Sequence, residues 1–142
     1  MSELIHSDIA NAYKINNMPT TQHMDNMLRL IHYTLQPIRL LYPKPETPMI
    51  ITGCYRSQAL FQKLKDLGRN PAKNSQHLTG QAADFYIVGV DINEVFDSIV
   101  RSDITFDQLI LEYDSKGNIW IHVSHVDTAK NRRQVIRNLK QC

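Results

Sequence analysis

Residues 75–84, read as SQHLTGQAAD, place a histidine and an aspartate seven positions apart, with a serine two before the histidine and a glycine three after it. Imidazole and carboxylate are both ligands for first-row metals. Gly80 permits a tight turn between His77 and Asp84, and Ala82 and Ala83 keep the approach uncrowded. Taken alone, such a pair is more often coincidence than a site, and an aspartate often caps a turn. Asp84, however, lies between Ala83 and Phe85 in an apolar run, where a carboxylate is costly unless paired or metal-bound. If the answer is a metal, the chain must supply a further ligand, and hydrolytic chemistry would add a base.

The elements that would hold these residues follow from periodicity. A helix begins near Thr21, with Met24, Met27, Leu28, Ile31 and Leu35 on one face. Pro37 bends it, ends it or opens a further turn. After the breaker-rich loop 42–48, residues 49–53 form a short strand. Residues 57–68 form a helix with Ser57 as N-cap and Gly68 after its end. Residues 81–88 form a strand, and 91–102 a helix capped by Asp91, with Glu94 completing a capping box. Residues 106–113 and 118–124 are strands. Residues 1–20 read as an N-terminal arm on the surface, and 126–142 as a basic C-terminal tail, helical between Lys130 and Lys140 if structured.

The last two strands constrain their own register. Leu109, Leu111 and Tyr113 share one face, and Ile119, Ile121 and Val123 share one face of the partner. Burying both sets together pairs Tyr113 with Ile119 and leaves Ser115, Lys116 and Gly117 as a three-residue hairpin loop, a common type with glycine in the left-handed position. The other face then carries Glu112 opposite Trp120 and Ile110 opposite His122. Glu112 and His122 become diagonal neighbours, roughly 7–8 Å apart at the backbone. Nothing in the pleat itself calls for a carboxylate, an indole and an imidazole together on one side.

Composition limits the alternatives. The chain has 142 residues, expected as one domain, with 42% hydrophobic and 21% charged residues, as in an ordinary soluble protein. A net charge of +2 is too small to argue for nucleic acid. No apolar run approaches the ~18 residues of a membrane span. The N-terminus lacks a signal-peptide core, so the expectation is synthesis in the cytoplasm, unless something else exports the protein. Cys54 and Cys142 make no disulfide framework and read as free thiols.

Three blocks together resemble a known family. SQHLTGQAAD matches the S-x-H-x-x-G-x-A-x-D signature of the M15 zinc peptidases, the D-Ala-D-Ala carboxypeptidase and murein endopeptidase group. GCYRS (53–57) resembles the preceding G-Y-R-S block, and EYDSKGNIWIHVS (112–124) the following E…W-x-H-V-S block. TLQPIR (34–39) is similar to the single-domain branch found in phages and prophages. The resemblance covers roughly residues 20–125 and implies one zinc held by His77, Asp84 and His122, with Arg56 clamping a substrate carboxylate and Ser75 as a polar contact in the cleft. Relatives that place their base three residues before the last ligand have a glutamate where this chain has Ile119; others carry a histidine where this chain has Trp120. The base must come from elsewhere. Glu112 is the candidate from the hairpin register, and His125 is its rival.

Each residue also has a bland reading. His122 alone would be a satisfied strand histidine, Arg56 a solvated charge, and Glu112 a solvated residue near a hairpin end. Trp120 is either a core residue or a wall of the substrate site. The basic tail (Lys130, Arg132, Arg133, Arg137, Lys140) reads as a solvated face, or as a hold on an anionic wall polymer. The expected fold is α+β: a mainly antiparallel sheet, helices on one face and a zinc cleft on the other, as in Hedgehog and DD-peptidase-like folds. The expected activity is peptide-bond hydrolysis in peptidoglycan by a monomer, as a carboxypeptidase or endopeptidase. A dipeptidase acting on D-Ala-D-Ala and a non-catalytic zinc module of the same fold are the alternatives.

Overall fold

A computed structural model describes residues 2–140, so Cys142 lies outside it. In chain order the elements are α1 (Ser2–Ile5), α2 (Asp8–Ala12), α3 (Thr21–Leu30), a π-helical turn (Ile31–Leu35), α4 (Gln36–Leu41), β1 (Met49–Gly53), α5 (Gln58–Asp66), a 3-10 turn (Gln76–Thr79), β2 (Ala82–Ile87), α6 (Ile92–Arg101), β3 (Gln108–Tyr113), β4 (Ile119–Ser124) and β5 (Gln134–Lys140). The strands form one sheet in the order β1-β2-β4-β3-β5. Its first three pairings are antiparallel, and β3 with β5 is parallel. The α+β expectation holds.

Strand alternation divides the sheet into two faces. Phe85, Leu109, Ile121 and Val123 are fully buried on one, packed with Met27, Leu30 and Ile38 from the first helices and Val95, Phe96 and Ile99 from α6. Each such side chain contributes roughly 1.5–3 kcal/mol by leaving water. The opposite parity carries Asp84, His122, Ile110 and Glu112. The β3–β4 hairpin has the register that the sequence demands, with Leu111 opposite Ile121, Glu112 opposite Trp120 and Tyr113 opposite Ile119. Gly117 takes φ +85°, the left-handed position of its loop.

Helix starts follow their caps. Ser57 Oγ accepts from Leu60 N, and Asp91 accepts from the amides of Asn93 and Glu94. The long first helix differs from expectation. Pro37 has no N–H to give, and a π-helical turn intervenes before α4. That turn shifts the phase of the buried stripe. Met27, Leu30, Leu35 and Ile38 are buried, whereas Met24 and Leu28 are exposed.

The two chain ends also differ from the sequence reading. Residues 2–17 do not trail over the surface: α1 buries Leu4, and Asn17 bonds Ile5 O, Tyr55 O and Ser57 N. Ala10 packs with Leu60 and Leu64 of α5 in a second small cluster. The basic tail is a strand, not a helix, because β3 offers an unpaired edge and the arginines find partners within the fold. Arg133 reaches the carbonyls of Val100, Ser102 and Ile104 and stacks over Phe106. Arg137 pairs with Asp97 and lies over Phe96. Among the described residues no helix is long and apolar enough to cross a membrane.

Candidate metal centre

A cleft of about 890 Å³ opens on the face of the sheet away from the main core. Arg56, Ser75, His77, Asp84, Glu112, Trp120 and His122 all line it. Two of these sit directly opposite each other: Asp84 on β2 pairs with His122 on β4. Their side chains meet, His122 Nδ1 lying 3.1 Å from Asp84 Oδ1. Glu112 Oε1 is 4.0 Å from the same His122 nitrogen, so the diagonal neighbours of the hairpin do converge.

His77 comes from outside the sheet. It sits in the 3-10 turn, whose N-cap is Ser75 and whose C-cap is Gly80. Gly80 is required twice over. Its φ is +73°, and a Cβ there would lie 2.6 Å from the His23 carbonyl oxygen. The Ser75 hydroxyl accepts from His77 N at 3.3 Å, so its first role is to shape the turn. Asn26 holds the far end through the Thr79 carbonyl. The ring itself is oriented by the preceding GCYRS segment: His77 Nδ1 donates to Cys54 O at 2.6 Å. A carbonyl only accepts, so Nδ1 carries a proton and Nε2 is the nitrogen turned toward the cleft.

Nε2 faces a carboxylate. His77 Nε2 is 3.4 Å from Asp84 Oδ2. Two acceptors at this distance repel each other unless a proton or a metal cation lies between them. His77, Asp84 and His122 each offer a ligand atom within 4.8 Å of the others. Tetrahedral zinc with bonds of about 2.0–2.1 Å separates its ligand atoms by about 3.4 Å; His77 Nε2 lies 3.4 Å from Asp84 Oδ2 and His122 Nδ1 lies 3.1 Å from Asp84 Oδ1, so each histidine nitrogen stands near that spacing from one oxygen of the carboxylate. Two nitrogens and one carboxylate are also a usual donor set for catalytic zinc. The residues fit the metal.

Electrostatics agree with this arrangement. Burial acts to raise the pKa of Asp84, but His77 and His122 against it hold it well below the usual carboxylate range. Cys54 neither lines the cleft nor joins the ligand group, and burial, reinforced by the charge of Asp84, pushes its thiol up to about 12. Burial lowers the pKa of Arg56, against the pull of Asp84 and Glu112. Its backbone N–H donates to His77 O at 3.0 Å, so the arginine and the histidine are placed by the same contact. Trp120 lines the cleft, with its enclosed Nε1 lacking a hydrogen-bond partner.

His125 is elsewhere. It is 2% exposed, stacks on Tyr33 and does not line the cleft. Asn131 Oδ1 is taken by Val126 N, so its amide donates to His125 Nδ1, and burial lowers the pKa of this ring. It is a packing residue. The sequence reading missed other cleft residues, among them Arg69, Gln76 and Arg132. Gln76 stands beside His77, but no pattern in the chain marks its partner, Asp107.

Residues 9–133 match the model of a peptidase M15 family described as peptidoglycan L,D-endopeptidase MepK. No curated protein matches the chain.

Proposed function

The chain belongs to this M15 peptidase family, and from that premise we propose that it is a zinc-dependent endopeptidase of peptidoglycan, cutting a bond between an L- and a D-centre in the cross-linked stem peptides. The observation that carries this reading is the convergence of His77, Asp84 and His122 on the floor of an open cleft, with the Glu112 carboxylate beside them. His77, Asp84 and His122 hold the metal. When bound, zinc supplies a Lewis acid that activates water and polarises the scissile carbonyl.

The remaining chemistry belongs to the chain. The Glu112 carboxylate takes a proton from the attacking water and returns it to the leaving amine as the C–N bond breaks. Buried beside the ligands, it needs little reorganisation. Arg56 presents a planar fork of donors to a substrate carboxylate. It sits in the cleft with Asp84 and Glu112 near enough to favour its charge. Trp120 offers an apolar wall.

Purified cross-linked peptidoglycan, treated with the zinc-loaded protein and read by mass spectrometry, tests the proposal. Cleaved cross-links with a new carboxylate on an L-centre and a new amine on its D-configured partner are expected. Release of terminal D-residues alone would make it a carboxypeptidase, and turnover of free dipeptide alone a dipeptidase. One bound zinc with no released product would make it a non-catalytic binding module.

A further inference from the structure

Asp107 is 2% exposed, just before β3, and accepts four hydrogen bonds. Arg132 donates three of them, from its backbone N at 3.0 Å, Nε at 3.0 Å and Nη2 at 2.7 Å. Gln76 Nε2 donates the fourth, at 2.8 Å. The backbone of Asp107 joins two more segments: its N–H donates to Ser124 O at the end of β4, and its carbonyl accepts from Gln134 N at the start of β5. The residue therefore lies where the His77 turn, the His122 strand and the C-terminal strand meet.

The three ligand candidates are not held equally. Asp84 and His122 are fixed by ladder pairing. The 3-10 turn bearing His77 follows a largely exposed segment, residues 69–74, and belongs to no strand. Its position relative to β4 depends on tethers: Gln81, just past the turn, accepts from His125 N at the end of that strand, and within the turn Gln76 reaches Asp107, whose N–H is bonded to Ser124 O. The amide orientation is determined, because a flipped Gln76 would turn its oxygen toward the Asp107 carboxylate. The cost is visible at the other end, where the buried Gln76 Oε1 has no partner. A buried acceptor left unsatisfied is destabilising and persists here because the donor end is held by charge.

We propose that Asp107 is a positioning residue for the metal centre, acting through Gln76 to set where His77 stands relative to Asp84 and His122. Arg132 keeps the carboxylate in place from β5's side, so the C-terminal segment is part of what shapes the centre. This inference rests on the metal reading of His77, Asp84 and His122.

The test is zinc affinity by chelator competition, with the absorption spectrum of the cobalt-loaded protein as the readout of ligand geometry. Gln76→Met removes the tether and leaves the Asp107–Arg132 pair. It should weaken zinc binding by about 10–100-fold and shift the cobalt bands, with little change in apo-protein unfolding. Asp107→Asn should show the same spectral shift, and the double variant should bind zinc no more weakly than Asp107→Asn alone, since both act on one contact. Wild-type affinity and spectrum in Gln76→Met would overturn the proposal even if Asp107→Asn fails to fold. Wild-type protein that binds no zinc would instead overturn the metal reading, before any variant is compared.

Discussion

The centre is built from two unlike halves. Asp84, His122 and Glu112 stand on adjacent strands, where ladder hydrogen bonds and an opposite face buried except at the hairpin end, where Ile119 is exposed, fix the register. Slipping any of these strands by one residue would turn Phe85, Ile121 or Leu111 out to the cleft. His77, Arg56 and Ser75 lie on non-repetitive backbone, held by individual bonds to Cys54 O, His77 O and His77 N respectively. The sheet half is over-determined and should tolerate loss of any one functional side chain. The other half has a few specific tethers, and each should matter.

The largest effect should come from the sheet half. His122→Ala removes a proposed ligand without touching the core face, so the protein should fold with near-normal unfolding, lose stoichiometric zinc and lose measurable hydrolysis. Zinc retained at one per chain in that variant would remove His122 from the ligand set. Next in size is Glu112→Gln, which keeps shape and most polarity but cannot accept a proton. Zinc and fold should persist while the hydrolytic rate falls by roughly 10²–10⁴. Near-normal turnover would show that another group is the base.

The same division explains what could be read from the chain. Hydrophobic alternation in residues 109–123, with a loop carrying Gly117, specified the hairpin register and so brought Glu112 to His122. The His77 turn was legible only as a motif, because its fixing contacts, Cys54 O and Asn26 with Thr79 O, come from distant segments that no periodicity links. The C-terminal strand was illegible for a related reason. Its arginines look like a solvated charge run, and only the folded chain shows Asp97, Asp107 and the carbonyls after α6 waiting for them. The N-terminal residues lack a stripe, and their anchor is a polar one, Asn17.

Gly80→Ala sharpens the comparison at the loop half. An alanine at φ +73° costs about 1–2 kcal/mol in backbone strain, and its Cβ would press on the His23 carbonyl of α3, which cannot move as a side chain can. Stability should fall by about 2–3 kcal/mol in total. Zinc affinity should fall as well, because relief of the clash moves the turn. Unchanged zinc affinity with reduced stability would mean that the turn relaxes away from His77.

The smallest effect is confined to acid. Asp107 has its pKa lowered to about 2, chiefly by the hydrogen bonds from Arg132, with burial opposing and Gln76 assisting. A carboxylate whose native pKa lies below its unfolded value of about 3.9 stabilises the fold fully above that value. The contribution is lost as pH falls through the native pKa. Wild type should therefore exceed Asp107→Asn in stability by a constant margin above about pH 4. The margin should shrink as pH falls below about 4 and be mostly gone near pH 2, where the native carboxyl is half protonated and its protonated form resembles the amide. Asp84, depressed further, is present in both proteins and drops out of the difference. Urea unfolding of the two proteins from pH 2 to 7 measures the margin directly. A margin that stays constant to pH 2 would mean that the shape of Asp107, and not its charge, joins the His77 turn to β5.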